Sequence, residues 1–374
     1  MFEIVTSSLV LLGLAAYDYR KRRFSSPEDR YMELYGKDEW SSNDMDMYVR
    51  FHPEKDEHVK KVWLDRVAQK MEEDENSLFH ETATIENNKI IYHRKKNTIN
   101  DVLSPRMGIY FDMSKRGVIQ IIWNHMQMDG VGLWGTTREL YDDNPPLVPY
   151  KELKSPPPIL PEILSIPKVA GQALKRGSLY KGVSDSLHTG QAMWESKSIR
   201  ALKKDLNIPF NLLTSAMVAK QIFDRHPQCE KLNLGLTVFF PFLKARNRYG
   251  VIIVRVKRGE IAEIAAQLKK KIPKPLVMWG NTATQAYAME RVPDSMFLRL
   301  MKYYRKQIDV LISNVPVGNL PISVGDVPVQ IVCHTRGLSL PYYFLMMGTR
   351  EDIHVSYSTL YSQKADFFQQ PFVT

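Results

Sequence analysis

The stretch "IIWNHMQMDGVGLW", residues 121–134, joins the end of an apolar run to a glycine-rich turn. The run that leads into it, "VIQIIW" (118–123), is apolar on both faces, which predicts a central strand of a sheet. His125 follows close behind that strand, so the sheet would deliver its imidazole into the interior between two layers. Gly130 and Gly132 let the chain turn sharply and let a substrate come close to the backbone.

His125, Asp129 and Gly130 form a His-x-x-x-Asp-Gly motif. A buried imidazole can act as a general base, because its pKa lies near neutral pH. The alternative is a hydrogen-bonded structural histidine beside a turn, which is the commoner role of a single histidine at a strand end. Asp129 lies too far along the chain to be assumed a catalytic partner, and its carboxylate can equally hold an arginine and fix the loop.

The composition predicts a globular protein, long for one compact domain and ordinary for two. Its 374 residues are 44% hydrophobic and 10% aromatic, which excludes a disordered chain. Cys229 and Cys333 form no Cys-x-x-Cys pair, which excludes a zinc ribbon and favours a reducing compartment. Metal-ligand spacing towards His125 is absent, and no Gly-x-Gly-x-x-Gly follows a strand, so a metal hydrolase and a dehydrogenase are poorly supported.

The net charge of +10 indicates an attraction for anions such as anionic lipid, nucleic acid or a phosphate-bearing ligand. No nucleic-acid-binding motif accompanies this charge, so we expect no nucleic-acid partner. The alternative is that the charge serves only to keep the protein soluble.

The N-terminal residues 1–24 predict a helix that associates with a membrane. An apolar stretch from Ile4 to Tyr17 is followed by four basic residues, Arg20 to Arg23. The stretch is short for a spanning helix, and its charge follows rather than precedes it, unlike that of a signal peptide. The order favours an anchor whose basic cluster meets the cytoplasmic face. The alternative is an amphipathic or buried first helix of a soluble protein.

A proline-rich crossover divides the chain nearly in half. Residues 144–168 carry eight prolines and predict irregular structure. We therefore predict an N-terminal subdomain at 40–143, a crossover at 144–190 and a C-terminal subdomain at 191–374. Apolar periodicity predicts helices near 55–74, 131–141, 196–206, 211–225, 259–271 and 294–307. Strands between them make both halves α/β.

Several blocks of the sequence resemble one family, in that family's order. They are "SSNDMDMYVRF", "SPRMGIYFDMSKRGVIQIIWNHMQMDGVG", "FNLLTSAMVAKQI", "TVFFPFLKARNRYGVIIVRV" and "LISNVPVGNLPISVGDVPVQIV". The chain resembles the acyl-CoA-dependent acyltransferases with the chloramphenicol acetyltransferase-like fold. Within that superfamily it is most similar to the bacterial-type wax ester synthase/diacylglycerol acyltransferase family.

The sequence departs from the family's motifs at several positions, which indicates a divergent relative. The family has two adjacent histidines, and the first is Asn124 here, while the second, its proton acceptor, aligns with His125. Leu212 stands where the family has aspartate, Tyr249-Gly250 replaces a Gly-Asn pair, and Val317-Gly318 follows Pro316 in place of Gly-Pro.

The resemblance implies two α/β sandwich subdomains that meet at a central channel. It also implies His125 as the general base that activates an acceptor hydroxyl, with acyl-CoA as co-substrate and no metal or bound cofactor. Asp129 would pair with Arg246, or alternatively with Arg248.

The resemblance further implies candidates for binding the oxyanion or substrate, namely Asn211, Ser313 and Asn314. For Asn211 the alternative is a helix N-cap after Pro209. For Ser313 and Asn314 the alternative is a turn before Pro316.

Three functions remain open from the sequence. The first is a membrane-associated O-acyltransferase that makes a lipid ester, of the wax ester or acylglycerol type. The second is a condensation-type acyltransferase that uses a carrier-bound thioester, which the predicted anchor disfavours. The third is an inactive relative that binds an acyl lipid; Asn124 leaves it open, while His125, Asp129 and Gly130 argue against it.

Overall fold

A computed structural model describes residues 44–73, 82–86, 89–93, 109–124, 130–142, 177–179, 187–239, 249–272, 293–316, 322–334, 340–348 and 352–361. The predicted membrane helix at 1–24 and nearly all of the predicted crossover lie outside these residues. None of the helices in the described ranges is both long and apolar enough to cross a bilayer.

Within the described residues, the first half of the chain supplies five strands and two helices. In order they are β1 (Asp44–Arg50), α1 (Asp56–Glu73), β2 (Thr82–Glu86), β3 (Lys89–His93), β4 (Ile109–Asp112), β5 (Val118–Asn124) and α2 (Gly130–Thr137). Short 3-10 helices precede α1 at Pro53–Lys55 and follow α2 at Arg138–Leu140.

The second half supplies nine strands and four helices within the described ranges. In order they are β6 (His188–Glu195), α3 (Ser196–Leu206), α4 (Phe210–Arg225), β7 (Lys231–Phe239), β8 (Tyr249–Lys257), α5 (Ile261–Lys271), α6 (Asp294–Arg305), β9 (Val310–Pro316), β10 (Ser323–Val324), β11 (Val327–Pro328), β12 (Gln330–His334), β13 (Tyr342–Gly348) and β14 (Asp352–Thr359).

The first sheet has the strand order β12-β1-β5-β4, and all of its neighbours are antiparallel. β5 is an inner strand, as its apolar run predicts. β4 and β5 form a hairpin, and Gly117 makes its turn with a φ of +73°. A Cβ there would lie 3.0 Å from the carbonyl oxygen of Phe51, so both the backbone angle and the space require glycine.

The second sheet has the strand order β6-β14-β13-β9-β7-β8. Its centre is parallel, because β9 pairs in parallel with both β7 and β13. Helices α3, α4 and α5 cover one face and bury an apolar core there, in which Ile199, Leu213 and Leu268 are fully buried. These three helices match the predicted helices closely.

The two halves of the chain share a sheet. β12 comes from the second half, yet it pairs with β1 in the first sheet, with Cys333 opposite Met47. A second apolar core lies between the two sheets and contains side chains from β1, β5, β9 and β13. The division into subdomains at 40–143 and 191–374 stays a prediction, but the first sheet is complete only with β12.

Two features of the second half gave no clear signal in the sequence. β6 begins inside the predicted crossover, and its first six residues alternate between partial and full exposure, as expected of an edge strand. The tight β10–β11 hairpin was not predicted, and it turns at Gly325 and Asp326, which both have positive φ.

Asp142 connects the β10–β11 hairpin to the first half. Its carboxylate accepts hydrogen bonds from Arg66 Nη2 at 2.6 Å, from Gly325 N at 2.8 Å and from Asp326 N at 2.9 Å. Burial alone would raise the pKa of this carboxyl, but the Arg66 guanidinium and the two amides outweigh it and lower the pKa to about 2.

We predict that Asp142→Asn lowers the free energy of unfolding at pH 7 by about 1–3 kcal/mol, because charge-assisted hydrogen bonds are lost. Because the pKa of Asp142 is lower in the folded protein than in the unfolded chain, the ionised carboxylate stabilises the fold at pH values above the unfolded pKa near 3.8. This stabilisation decreases as the pH falls towards the folded pKa of about 2. Urea unfolding of both proteins at pH 7 and pH 3 measures the difference.

The matched control is Asp65→Asn, which removes an exposed carboxylate on α1 that is 3.8 Å from Lys61 Nζ. A loss of stability in Asp142→Asn no larger than in this control, or one that does not shrink at low pH, would contradict the assignment.

Candidate active site between the two sheets

A small apolar cavity lies between the two sheets, next to the start of α2. Its volume is about 40 Å³. The apolar part of its wall consists of Met45, Met47, Trp123, Gly130, Leu133, Trp134, Val315, Leu345 and Met347. Three side chains bring polar atoms or a thiol to it, namely Ser313, Cys333 and Tyr343.

Gly130, the last residue of the His-x-x-x-Asp-Gly motif, lies against the end of β9. A Cβ added to Gly130 would be 3.2 Å from Cγ2 of Val315, closer than an ordinary van der Waals contact. Glycine therefore lets the first turn of α2 approach the strand. The fold thus brings the motif and the "LISNVP" block together, although they are distant in sequence.

Three predicted site residues lie outside the described part of the chain, namely His125, Asp129 and Arg246, as does the alternative Arg248. The structure does describe a residue shortly before His125 and the last residue of the motif, and both lie at the cavity. Trp123, near the end of β5, and Gly130, at the start of α2, both line it. The roles of His125, Asp129 and Arg246 stay predictions.

Ser313 and Asn314 are neighbours on β9, and their side chains lie on opposite faces of the sheet, as the alternation of a strand requires. Ser313 lines the cavity together with Val315. Asn314 shares the face of Ile312, which belongs to the core beneath α4. The turn considered for these two residues is not observed, because both lie within β9.

The hydroxyl of Ser313 is oriented by a neighbouring strand. Thr237 Oγ1 lies 3.3 Å from Ser313 Oγ and can donate a hydrogen bond to it. When Ser313 accepts from Thr237, its own hydrogen can be donated to the neighbouring Tyr343 hydroxyl or to a group in the cavity.

Asn211 is exposed in the first turn of α4 and does not line the cavity. Its Oδ1 accepts a hydrogen bond from Leu212 N at 3.0 Å. The N-cap of α4 is Pro209, so the N-cap role considered for Asn211 is not the one observed. The structure therefore brings Gly130 and Ser313 together at the cavity, and it places Asn211 and Asn314 away from its lining.

The protic groups of the cavity stay neutral at physiological pH. Burial, and secondarily the nearby Cys333, raise the pKa of the Tyr343 hydroxyl well above its ordinary value. Burial, and secondarily Asp46, also raise the pKa of the Cys333 thiol. Tyr343 can thus donate a hydrogen bond, while Cys333 is poorly suited to act as a nucleophile.

No group of three or more potential metal ligands occurs within the residues that the structure describes. Tyr343 and Met47 were not predicted at the site, because their place at the cavity depends on pairing between distant strands.

The fold is similar to that of solved acyl-transferring proteins. The wax ester synthase/diacylglycerol acyltransferase from Marinobacter aquaeolei VT8 matches with a TM-score of 0.52 and 14% sequence identity, over 91% of this chain and 93% of that chain. A variant of the starter condensation domain of rhizomide synthetase RzmA, in complex with C8-CoA and Leu-SNAC, matches with a TM-score of 0.56 and 9% identity, over 92% of this chain and 90% of that chain.

A further variant of that condensation domain, in complex with C8-CoA, matches with a TM-score of 0.56 and 10% identity, over 90% of this chain and 89% of that chain. No family model matches the sequence, and no curated protein matches it. Identities this low show a shared fold and not a shared activity. The chain has the chloramphenicol acetyltransferase-like α/β fold that the sequence predicts.

Proposed function

We propose that the protein is an acyl-CoA-dependent O-acyltransferase that transfers an acyl group to the hydroxyl of a lipid alcohol, of the wax ester or acylglycerol type. The observation that carries the proposal is the position of Gly130. It places the end of the His-x-x-x-Asp-Gly motif at an interior cavity, against the strand that bears Ser313. The similar folds of an acyltransferase and a condensation domain support the same class of chemistry.

In the proposed reaction His125 removes the proton from the acceptor hydroxyl. The oxygen attacks the thioester carbonyl carbon, the carbon–sulfur bond breaks, and His125 returns the proton to the departing thiolate. No covalent intermediate with the protein forms, which agrees with the raised pKa of the Cys333 thiol. Asp129, paired with Arg246, would fix the loop that holds His125.

Ser313 is the best-placed candidate for stabilising the oxyanion. It lines the cavity beside Gly130, and Thr237 can orient its hydroxyl so that it donates inwards. Tyr343 can supply a second neutral donor. Asn211 and Asn314 would need a different arrangement of the sheet and of α4 to reach the same point.

The acyl chain would enter by displacing side chains. A cavity of about 40 Å³ is far smaller than an ordinary ligand pocket. Three of its lining residues, Met45, Met47 and Met347, have flexible side chains that repack easily. The length of the acyl chain and the identity of the acceptor are therefore to be measured with a panel of substrates.

The proposal predicts acceptor-dependent release of CoA from acyl-CoAs, measured with a thiol reagent across a panel of chain lengths and lipid alcohols. His125→Ala should abolish this release. Unchanged release in the variant would remove His125 from its role.

Absence of release from the intact protein across the whole panel, with acyl-CoA binding retained, would favour the inactive acyl-lipid-binding alternative. A condensation-type activity would instead require an amine acceptor. Adding amino acid thioesters to the panel tests it, since one similar structure contains Leu-SNAC.

Ser313→Ala is predicted to lower kcat by about 100-fold with a small change in KM, because one oxyanion donor is lost. Asn314→Ala is the matched control, since it removes a polar group from the adjacent position on the other face of β9. An equal loss of activity in both variants would contradict the assignment to Ser313.

A further inference from the structure

A basic groove lies on the outer side of the second sheet, where α3, α4 and α5 meet. We define it by its four cationic side chains, Arg200, Lys203 and Lys204 on α3 and Lys269 on α5. The groove is open to solvent and has a volume of about 700 Å³. It is much larger than the cavity between the sheets, and its lining is basic, whereas the lining of the cavity is mainly apolar.

The backbone around Asn207 holds the cations of the groove together. Asn207 ends α3 in the left-handed conformation, with a φ of 48°, and its amide donates to the carbonyls of Lys203 and Lys204. Lys269 Nζ donates to the Asn207 carbonyl oxygen at 3.0 Å, which connects α5 to the end of α3. Two helix ends and their lysines are therefore fixed side by side.

Arg200 is held at one side of the groove by two contacts. Its Nε donates to Ser196 Oγ at 2.8 Å, and its guanidinium lies 5.9 Å from the centre of the Phe210 ring. Within the described ranges, none of the ion pairs involves Lys203, Lys204 or Lys269. The positive charge of these lysines is therefore not neutralised by a carboxylate in that part of the chain.

The lysines have an explanation that needs no ligand, because cations are favoured in the last turn of a helix. That effect accounts for each helix separately. It does not account for the meeting of two such ends in one concave space, or for Arg200, which lies a turn further back.

The groove is adjacent to the strand that forms part of the cavity wall. Pro209 lines the groove, and the next residue, Phe210, has its Cε1 atom 4.0 Å from the position of a Cβ on Gly348. Gly348 directly follows Met347, which lines the cavity. The groove and the cavity therefore lie on opposite sides of the second sheet, near the same end of β13.

We propose that the basic groove binds the phosphate groups of a phosphate-bearing ligand. Two sources share this chemistry, namely the nucleotide end of the acyl-CoA co-substrate and the headgroup of an anionic phospholipid. The first source rests on the proposed function, whereas the second does not. Phosphate esters match the groove because several convergent cations can bind them at once.

The test measures binding by the full chain with two probes, adenosine 3′,5′-bisphosphate and phosphatidylglycerol vesicles, with phosphatidylcholine vesicles as the neutral reference. The groove variant is Lys203→Gln/Lys204→Gln/Lys269→Gln. A second variant, Lys203→Gln/Lys204→Gln, keeps the contact of Lys269 with Asn207. We expect the triple variant to bind one of the charged probes at least about tenfold more weakly than the intact protein.

The matched control is Lys197→Gln/Lys257→Gln/Lys270→Gln, which removes the same charge from exposed positions that do not line the groove. If the groove variants, but not the control, bind only the bisphosphate more weakly, the ligand is the nucleotide end of acyl-CoA. If they bind only the anionic vesicles more weakly, the ligand is the phospholipid headgroup. Equal binding in the groove and control variants, or no binding of either probe by the intact protein, overturns the proposal.

Neither probe needs to react, so these measurements are independent of acyl transfer. If the protein releases no CoA from any substrate but the groove variants lose binding, the proposed function fails and the groove stands. If acyl transfer occurs and the groove variants bind both probes normally, the proposed function stands and the groove proposal fails. For the nucleotide source, turnover of an acyl N-acetylcysteamine thioester, which has no phosphate, should be equal in all variants.

Discussion

The pairing of β12 with β1 is the constraint on which the rest of the structure depends. β12 comes from the second half of the chain and completes the first sheet, with Cys333 opposite Met47. Both of these residues line the cavity between the sheets. The short link from β12 to β13 therefore ties the first sheet to the second, whose β9 and β13 supply Ser313, Val315 and Tyr343 to the same cavity. Without that pairing the cavity would lose Cys333 from its wall.

Much of the local structure could be predicted from the sequence. The apolar run of β5, the turn at Gly117 and the amphipathic helices all depend on contacts between near neighbours, so their patterns appear in short windows. The inward face of the edge strand β6 contains only two apolar residues that pack on the core, Ala192 and Trp194, so it shows no clear pattern. The partner of β1 could not be predicted, because the register between strands so far apart leaves no local signal.

The candidate site was predictable in its residue types more than in its geometry. Ser313 and Asn314 are equivalent in a sequence motif, but a strand must send them to opposite faces, and only the packing of the sheets decides which face holds the cavity. Tyr343 was missed because tyrosines in a buried strand usually only fill the core. In the sequence the lysines of the basic groove belong to the last turns of two separate helices, and only the meeting of α3 with α5 makes them a cluster.

We propose that acyl transfer occurs between the two sheets, beside Gly130. The most direct test is a crystal structure of the protein with a stable acyl-CoA analogue that has a methylene group between the sulfur and the carbonyl carbon. We expect the carbonyl group to lie between the sheets, with its oxygen about 3 Å from Ser313 Oγ and its carbon next to the His125 imidazole. An analogue bound elsewhere, or a His125 side chain directed away from the carbonyl carbon, would contradict it.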